Sequence, residues 1–174
     1  RWPTTAACAA APLGDVLVEW QGLGYPRRAR SLHAAAQQVE QEHAGRFPDD
    51  LDALLALPGI GPYTARAVLA FAFERDVAVV DTNVGRILAR REGAPLGARV
   101  AQERADEWVP PGQGWAWNQG LLDVGARLCR PRDPACDACP VAQECAWHLA
   151  GHPEPDPASG SAAVSRRQAR FEGS

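Results

Sequence analysis

Apolar positions recur along this chain at helical spacing in short stretches, each punctuated by glycine or proline. Ala29, Leu32, Ala35, Ala36 and Val39 mark one face of an amphipathic helix that ends near His43, with Gly45 as its cap. Upstream, Trp2-Pro3-Thr4 can open a helix through an N-cap, and Pro12 closes it near Ala11. A second helix is predicted over 14–21, ending at the turn Gly22-Leu23-Gly24. Asp49 starts a short helix through Leu57, Pro58-Gly59-Ile60-Gly61 interrupts it, and Pro62 opens the next, which runs to about Phe73. Asp81 or Thr82 can cap a helix to Arg91, and further helices are predicted over 99–109 and 115–128. From His152 onward Pro, Ser, Gly and Ala dominate without apolar periodicity, which predicts a disordered tail or linker. The expected class is all-α, divided into 1–92, 93–150 and a tail at 151–174.

Composition narrows this picture. With 174 residues, 46% hydrophobic and 22% charged, the chain has the profile of a soluble globular protein. It has no apolar run long enough for a membrane span and no secretory pattern, so the expected compartment is the cytoplasm. It contains no methionine and begins at Arg1, which reads as a fragment or processed piece. All 18 basic residues are arginine, so no lysine amine is available for Schiff-base chemistry. A net charge of -3 argues against wrapping nucleic acid by bulk electrostatics. Any grip on DNA is expected to be local, built around arginines such as Arg27, Arg28 and Arg30.

Three motifs carry chemistry. Cys129, Cys136, Cys139 and Cys145 follow C-x6-C-x2-C-x5-C, which lets four thiolates from one short segment converge on a metal. Disulfides are the alternative, disfavoured in a reducing compartment. Structural zinc is the competitor to iron-sulfur, and one C-x2-C pair flanked by longer gaps leans toward a cubane. Cys8 stands apart and reads as a buried free thiol. The second motif is Leu57-Pro58-Gly59-Ile60-Gly61-Pro62-Tyr63-Thr64. Its two glycines allow a close approach of backbone to a phosphate at the start of the next helix, though the same residues also make a plain helical turn. The third is Val79-Val80-Asp81-Thr82-Asn83-Val84, in which Asp81 is an N-cap that can also face a cationic transition state.

Taken in order and spacing, L-P-G-I-G-P-Y-T-A, V-V-D-T-N-V-G-R-I-L-A-R and the four cysteines resemble the helix-hairpin-helix glycosylases that carry a [4Fe-4S] cluster. The stretch from Gly22 to Ala36 resembles the MutY-type adenine DNA glycosylases, and the likeness runs from about Trp2 to Cys145. The resemblance implies a partial helix-hairpin-helix glycosylase domain over 1–92, a small [4Fe-4S] lobe over 93–150, and double-stranded DNA containing adenine mispairs as partner of a monomer acting at the nucleoid. It implies that Asp81 stabilises the oxocarbenium-like sugar, that Tyr63 and Asn83 line its pocket, and that Tyr25 wedges into the duplex with Leu23 on the same turn. Gly59, Ile60, Gly61, Arg27 and Arg28 are the expected backbone grip. Tyr25 packed on the core is the plainer alternative.

Departures from the family pattern set further expectations. Endonuclease III-type relatives place a lysine where Tyr63 stands, so a monofunctional glycosylase is implied in place of a strand-cleaving lyase. The family's acid glutamate lies in a segment ahead of Trp2-Pro3 that this sequence does not contain, and none of its glutamates, Glu19 and Glu40 included, falls in that motif. Nor is a C-terminal domain that reads 8-oxoguanine present, and Thr82 replaces a glycine often found after the aspartate. Negligible excision by these 174 residues alone is therefore expected. An endonuclease III-like repair glycosylase and a non-catalytic DNA-binding module stand as alternatives, with a zinc-stabilised helical domain as a third.

Overall fold

The computed structural model describes residues 1–159, and among them all regular structure is helical. They fall into two compact units, Arg1–Leu69 and a second that starts at Ala70. The division thus lies ahead of the position near 92 read from the sequence. The reason is packing, because the helix that follows Asp81 takes its neighbours from elements further along the chain.

In the first unit, α1 (Thr5–Ala10) and α2 (Leu13–Glu19) both pack on α3 (Pro26–His43). Thr4 caps α1 by accepting from the Ala7 amide, as its sequence suggests. Ala29, Ala35, Ala36 and Val39 form the buried stripe of α3, and Val16, Leu54 and Leu57 are buried in the same unit. Leu32, expected on that stripe, is 49% exposed instead. By helical phase Leu32 falls between Val39 and Ala36, inside the stripe, so its exposure is set by what covers that part of α3 and not by its register. His33 is buried and its ring nitrogen meets the Ala11 carbonyl at 2.9 Å, so a polar core residue is satisfied locally. Ala44 and Gly45 take left-handed conformations that end α3, so the expected glycine shares that task with an alanine. Asp50, not Asp49, caps α4 (Leu51–Ala56), accepting from the Ala53 amide at 2.9 Å. Cys8 is half-buried, not buried. α5 (Pro62–Ala72) carries the chain into the second unit.

The second unit is built on α6 (Thr82–Glu92), which packs against α7 (Ala98–Trp108), α8 (Gly114–Arg127) and α9 (Ala146–Leu149). Ala78, Val84, Leu88, Ala101 and Ala105 form its core, with Val80, Leu96, Trp108, Trp117 and Leu121 packed around them. Between α8 and α9 the cysteine segment makes two 3-10 turns, Cys136–Ala138 and Ala142–Glu144. The predicted tail departs from expectation at its start. Asp156 is bonded to Arg90, and Ala158 is buried, so the chain beyond α9 remains part of this unit through residue 159. The rest of the expected tail, 160–174, lies outside the described residues. No helix among the described residues is long and apolar enough to cross a membrane.

Candidate functional site

The first unit presents two loops that bear on function. In the turn between α2 and α3, Gly22 and Gly24 adopt positive φ, and Leu23 and Tyr25 project outward at 62% and 43% exposure. Tyr25 itself sits at φ 49 immediately before Pro26. This is a left-handed conformation uncommon for a residue with a bulky side chain. Trp20 donates from its indole to the Gly24 carbonyl at 2.8 Å, and the Arg28 guanidinium lies 5.4 Å from the Trp20 ring centroid. These contacts fix the turn from behind while its apolar tips stay in solvent. Arg27 and Arg30 are exposed on the first turns of α3.

The hairpin between α4 and α5 is held at one glycine and open at the other. Gly59 has φ +76, and a Cβ there would lie 2.4 Å from the Ser31 Cβ, so both backbone and packing demand glycine. A Cβ on Gly61 would meet nothing within 4 Å. The Gly61 carbonyl accepts from the Ala65 amide at 2.9 Å, starting α5, whose first free N-H groups are a natural anion site. Ile60 is half-buried beneath the loop, and Tyr63 stands 49% exposed on the first turn of α5.

In the second unit, Asp81 caps α6 with both carboxylate oxygens engaged. Oδ1 accepts from the Asn83 and Val84 amides at 2.8 and 2.7 Å, and Oδ2 from the Asn83 side-chain amide at 3.0 Å. The segment leading to it is pinned from behind. Asn118 of α8, 1% exposed, accepts from the Val79 amide and donates to the Val77 and Gly114 carbonyls. Asp106 accepts from the Ala78 amide, and Gln102 donates to the Ala78 carbonyl. The backbone polar groups of Val77 and Ala78 and the Val79 amide are thereby satisfied without a sheet.

Asn83 is also the start of a relay that the sequence does not announce. Its Oδ1 accepts from Arg86 Nη2 at 2.9 Å, and the same buried guanidinium donates to the carbonyls of Gly125 at 2.8 Å and Cys129 at 2.7 Å. Burial pulls the Arg86 guanidinium below its ordinary value, against the raising effect of Cys129. Gly125 admits this crossing because a Cβ there would lie 2.7 Å from the Asn83 Cβ. One chain of contacts thus runs from the Asp81 carboxylate to the backbone of the first cysteine. Arg86, Gly125 and Asn118 were absent from the expected site. The available signal was the spacing of Arg86 three residues after Asn83, which puts both on one helix face.

The four cysteines line one recess with Arg90, Leu128 and Trp147. None is in a disulfide. Arg90, 2% exposed, donates to the Arg130 and Pro131 carbonyls, pairs with Asp156 at 2.6 Å, lies 3.5 Å from Cys129 Sγ and stacks 4.5 Å from the Trp147 ring centroid. Burial pushes the Cys136 thiol up, and the other three cysteines push it further. A recess that gathers four thiols and a buried guanidinium suits a guest that converts those thiols to thiolates.

Comparison with known proteins agrees with this geometry. Residues 42–71 match the family model of the helix-hairpin-helix motif. The chain is 41% identical over 177 residues to the adenine DNA glycosylase of Mycolicibacterium smegmatis, an alignment covering 99% of this chain and 58% of that protein. It is 43% identical over 170 residues to the adenine DNA glycosylase of Mycobacterium tuberculosis, covering 90% and 53%. The chain therefore spans about half the length of the curated relatives it matches. Among solved structures, a thermostable thymine-DNA glycosylase superposes with a TM-score of 0.79 at 31% identity, over 84% of this chain and 70% of that one. With the hairpin, the capped Asp81 and these alignments together, the chain belongs to the helix-hairpin-helix DNA glycosylases.

Proposed function

We propose that this chain serves base-excision repair as a monofunctional adenine DNA glycosylase, acting as a monomer on duplex DNA in the cytoplasm and hydrolysing the N-glycosidic bond of adenine mispaired with 8-oxoguanine or guanine. The observation that carries the reading is the Asp81 carboxylate, fixed by three hydrogen bonds at the start of α6 in a chain of this family. The target nucleotide leaves the stack, since the bond to be broken is out of reach inside the duplex. The C1′-N9 bond breaks with its electron pair passing to the adenine, and positive charge develops on the sugar. Asp81 stabilises that cation, directly or through a transient covalent bond, and water adds at C1′ while a proton goes to the departing base. Asn83 holds the carboxylate, and Tyr63, exposed on the first turn of α5, meets the sugar-phosphate of the substrate. No glutamate of the chain is assigned as the acid.

Tyr25 and Leu23 supply the wedge beside the mispair. The amides from Gly59 through Gly61, with Arg27 and Arg28, take the phosphates. The absence of lysine leaves no side-chain amine to cleave the strand. Cys129, Cys136, Cys139 and Cys145 are the residues to hold a [4Fe-4S] cluster. Held there, a cluster would supply cross-links and charge to its lobe, and no step of the hydrolysis is routed through it.

The test uses the cation, which does not depend on the acid. A duplex whose target sugar is replaced by a charged pyrrolidine should bind the chain more tightly than one with a neutral tetrahydrofuran, and Asp81→Asn should erase the difference. Equal affinities for the parent would remove Asp81 from the mechanism. The pyrrolidine placed opposite 8-oxoguanine or guanine should also bind more tightly than opposite thymine, and no preference would overturn the substrate reading.

A further inference from the structure

Beside the four-thiol recess lies a second group of metal donors. Cys136 Sγ and one ring nitrogen each of His148 and His152 all lie within 4.8 Å of one another, and His148 Nδ1 stands 3.0 Å from His152 Nε2. We propose that Cys136, His148 and His152 form a site for one divalent cation of the zinc class, which shares Cys136 with the four-thiol recess and so competes with its occupant. The sharing of Cys136 rests on the cluster proposed above, whereas the cation site itself does not.

The local fold prepares these donors. His148 lies in α9 and His152 in the turn after it, where the His152 amide donates to the Trp147 carbonyl at 2.9 Å. His152 takes φ 60, a left-handed conformation that directs its ring back over α9. The ring packs on buried Trp147 at 4.4 Å between centroids, which orients it. A hydrogen bond between the two imidazoles accounts for the 3.0 Å approach but not for a thiol within reach of both. A tetrahedral zinc ion, with nitrogen at about 2.0–2.1 Å and sulfur at about 2.3 Å, needs all three donors gathered in this way. One sulfur with two imidazoles favours zinc, cobalt or copper over magnesium or calcium. His152 is exposed, so the fourth position opens to water.

The pairing differs from the set that would hold a cubane. No three of the four cysteine sulfurs are gathered within 4.8 Å of one another as Cys136 and the two histidines are. Occupation of one set therefore draws Cys136 toward different neighbours than occupation of the other.

The experiment titrates Co²⁺ into the full 174-residue chain after its iron has been chelated, reading tetrahedral d-d bands and sulfur-to-cobalt charge transfer. One equivalent is expected to bind. Even outer partners of a metal ligand are worth about 10–100-fold in affinity, so His148→Ala and His152→Ala should each weaken binding by about 100-fold or more. Cys139→Ser should leave it within about twofold, because Cys139 is not a donor of this set. Unchanged affinity in both histidine variants, or equal loss in Cys139→Ser, would overturn the site. His148→Gln and His152→Gln, checked by circular dichroism, repeat the test if the alanine variants unfold. The histidine variants should keep the parent's iron content as purified, and loss of iron in them would instead assign the histidines to the recess. Cobalt uptake by the chain with its iron still in place would overturn the sharing of Cys136, while cobalt binding by a chain that never held iron would support the site and defeat only the cluster.

Discussion

Asp81 satisfies the first amides of α6 with the same oxygens that face the reacting sugar in the proposed mechanism, so its orientation is set before any substrate arrives. Its neighbour Asn83 is oriented in turn by Arg86, which has three buried or half-buried acceptors to itself. Arg86→Leu would leave those acceptors unpaired, at about 1–3 kcal/mol for each. The variant should melt well below the parent, and Arg86→Lys should recover only part of the loss because one ammonium cannot span the fork. A parent-like melting curve for Arg86→Leu would show that the relay holds nothing. The two hairpin glycines make a sharper pair. Gly59→Val meets Ser31 in a left-handed conformation and should cost about 1–3 kcal/mol from backbone strain alone. Gly61→Val has open space, so it should melt like the parent yet bind every duplex roughly tenfold more weakly, equivalent to about 1.4 kcal/mol. Titrations at fixed salt, set beside melting curves, separate the two, and parent-like binding by Gly61→Val would defeat the phosphate clamp.

In the second unit, placed side-chain contacts add to the apolar core that α6 shares with its neighbours. α6 is fixed at its start by Asp81 and at its end by Gly93, where a Cβ would lie 3.1 Å from the Ala146 Cβ of α9. The last described residues are tied to α6 by the Arg90 to Asp156 pair, whose arginine side chain is 3% exposed. Burial acts to raise the Asp156 carboxyl, but hydrogen bonds from Arg90 and the Ala158 amide, with the Arg90 charge, hold it below the usual carboxylate range. A lowered folded value means that the pair stabilises above the ordinary carboxylate range and that this is lost as pH falls through the lowered value. At neutral pH, Asp156→Asn breaks a buried pair and should cost about 3–5 kcal/mol. Glu103→Gln breaks the exposed pair with Arg99 on α7 and should cost at most about 0.5 kcal/mol. Denaturant melts of the two variants decide the ranking, and equal effects would mean that Arg90 is held by its carbonyl partners and Trp147 without Asp156.

At the scale of the molecule, a chain of net charge -3 is proposed to bind a polyanion. Such binding has to come from a few placed arginines and amides, so its salt dependence should be shallow. Each phosphate neutralised contributes about -0.9 to the slope of log affinity against log salt, and removing Arg27 and Arg28 together should flatten that slope by about 2 units. An unchanged slope in the double alanine variant would move the grip elsewhere. The division into two units sets a second expectation. Cys139→Ser should bleach the protein and raise amide exchange in the unit starting at Ala70, leaving Arg1–Leu69 near its parent values. Full iron content in that variant would exclude the four-thiol ligand set.

Much of this protein was legible in one dimension. Periodicity and punctuation located α1 through α8 to within a residue or two, since Thr4, Pro62 and Asp81 act through contacts only a few residues away. The absence of lysine and the cysteine spacing bounded the chemistry in the same local way. Whatever joins distant positions was decided by the tertiary structure. Asn118 meets Val79 across 39 residues, Arg86 meets Cys129 across 43, and Asp156 meets Arg90 across 66. A polar residue in an apolar pattern looks the same in sequence whether it ends in water or in the core, and only the packed chain supplies the partners that make burial affordable. The same holds for 151–159, whose Pro-rich composition predicts disorder. Trp147 donates to the Pro153 carbonyl and Arg90 donates to the Asp156 carboxylate, and these contacts order a segment whose composition alone does not reveal them.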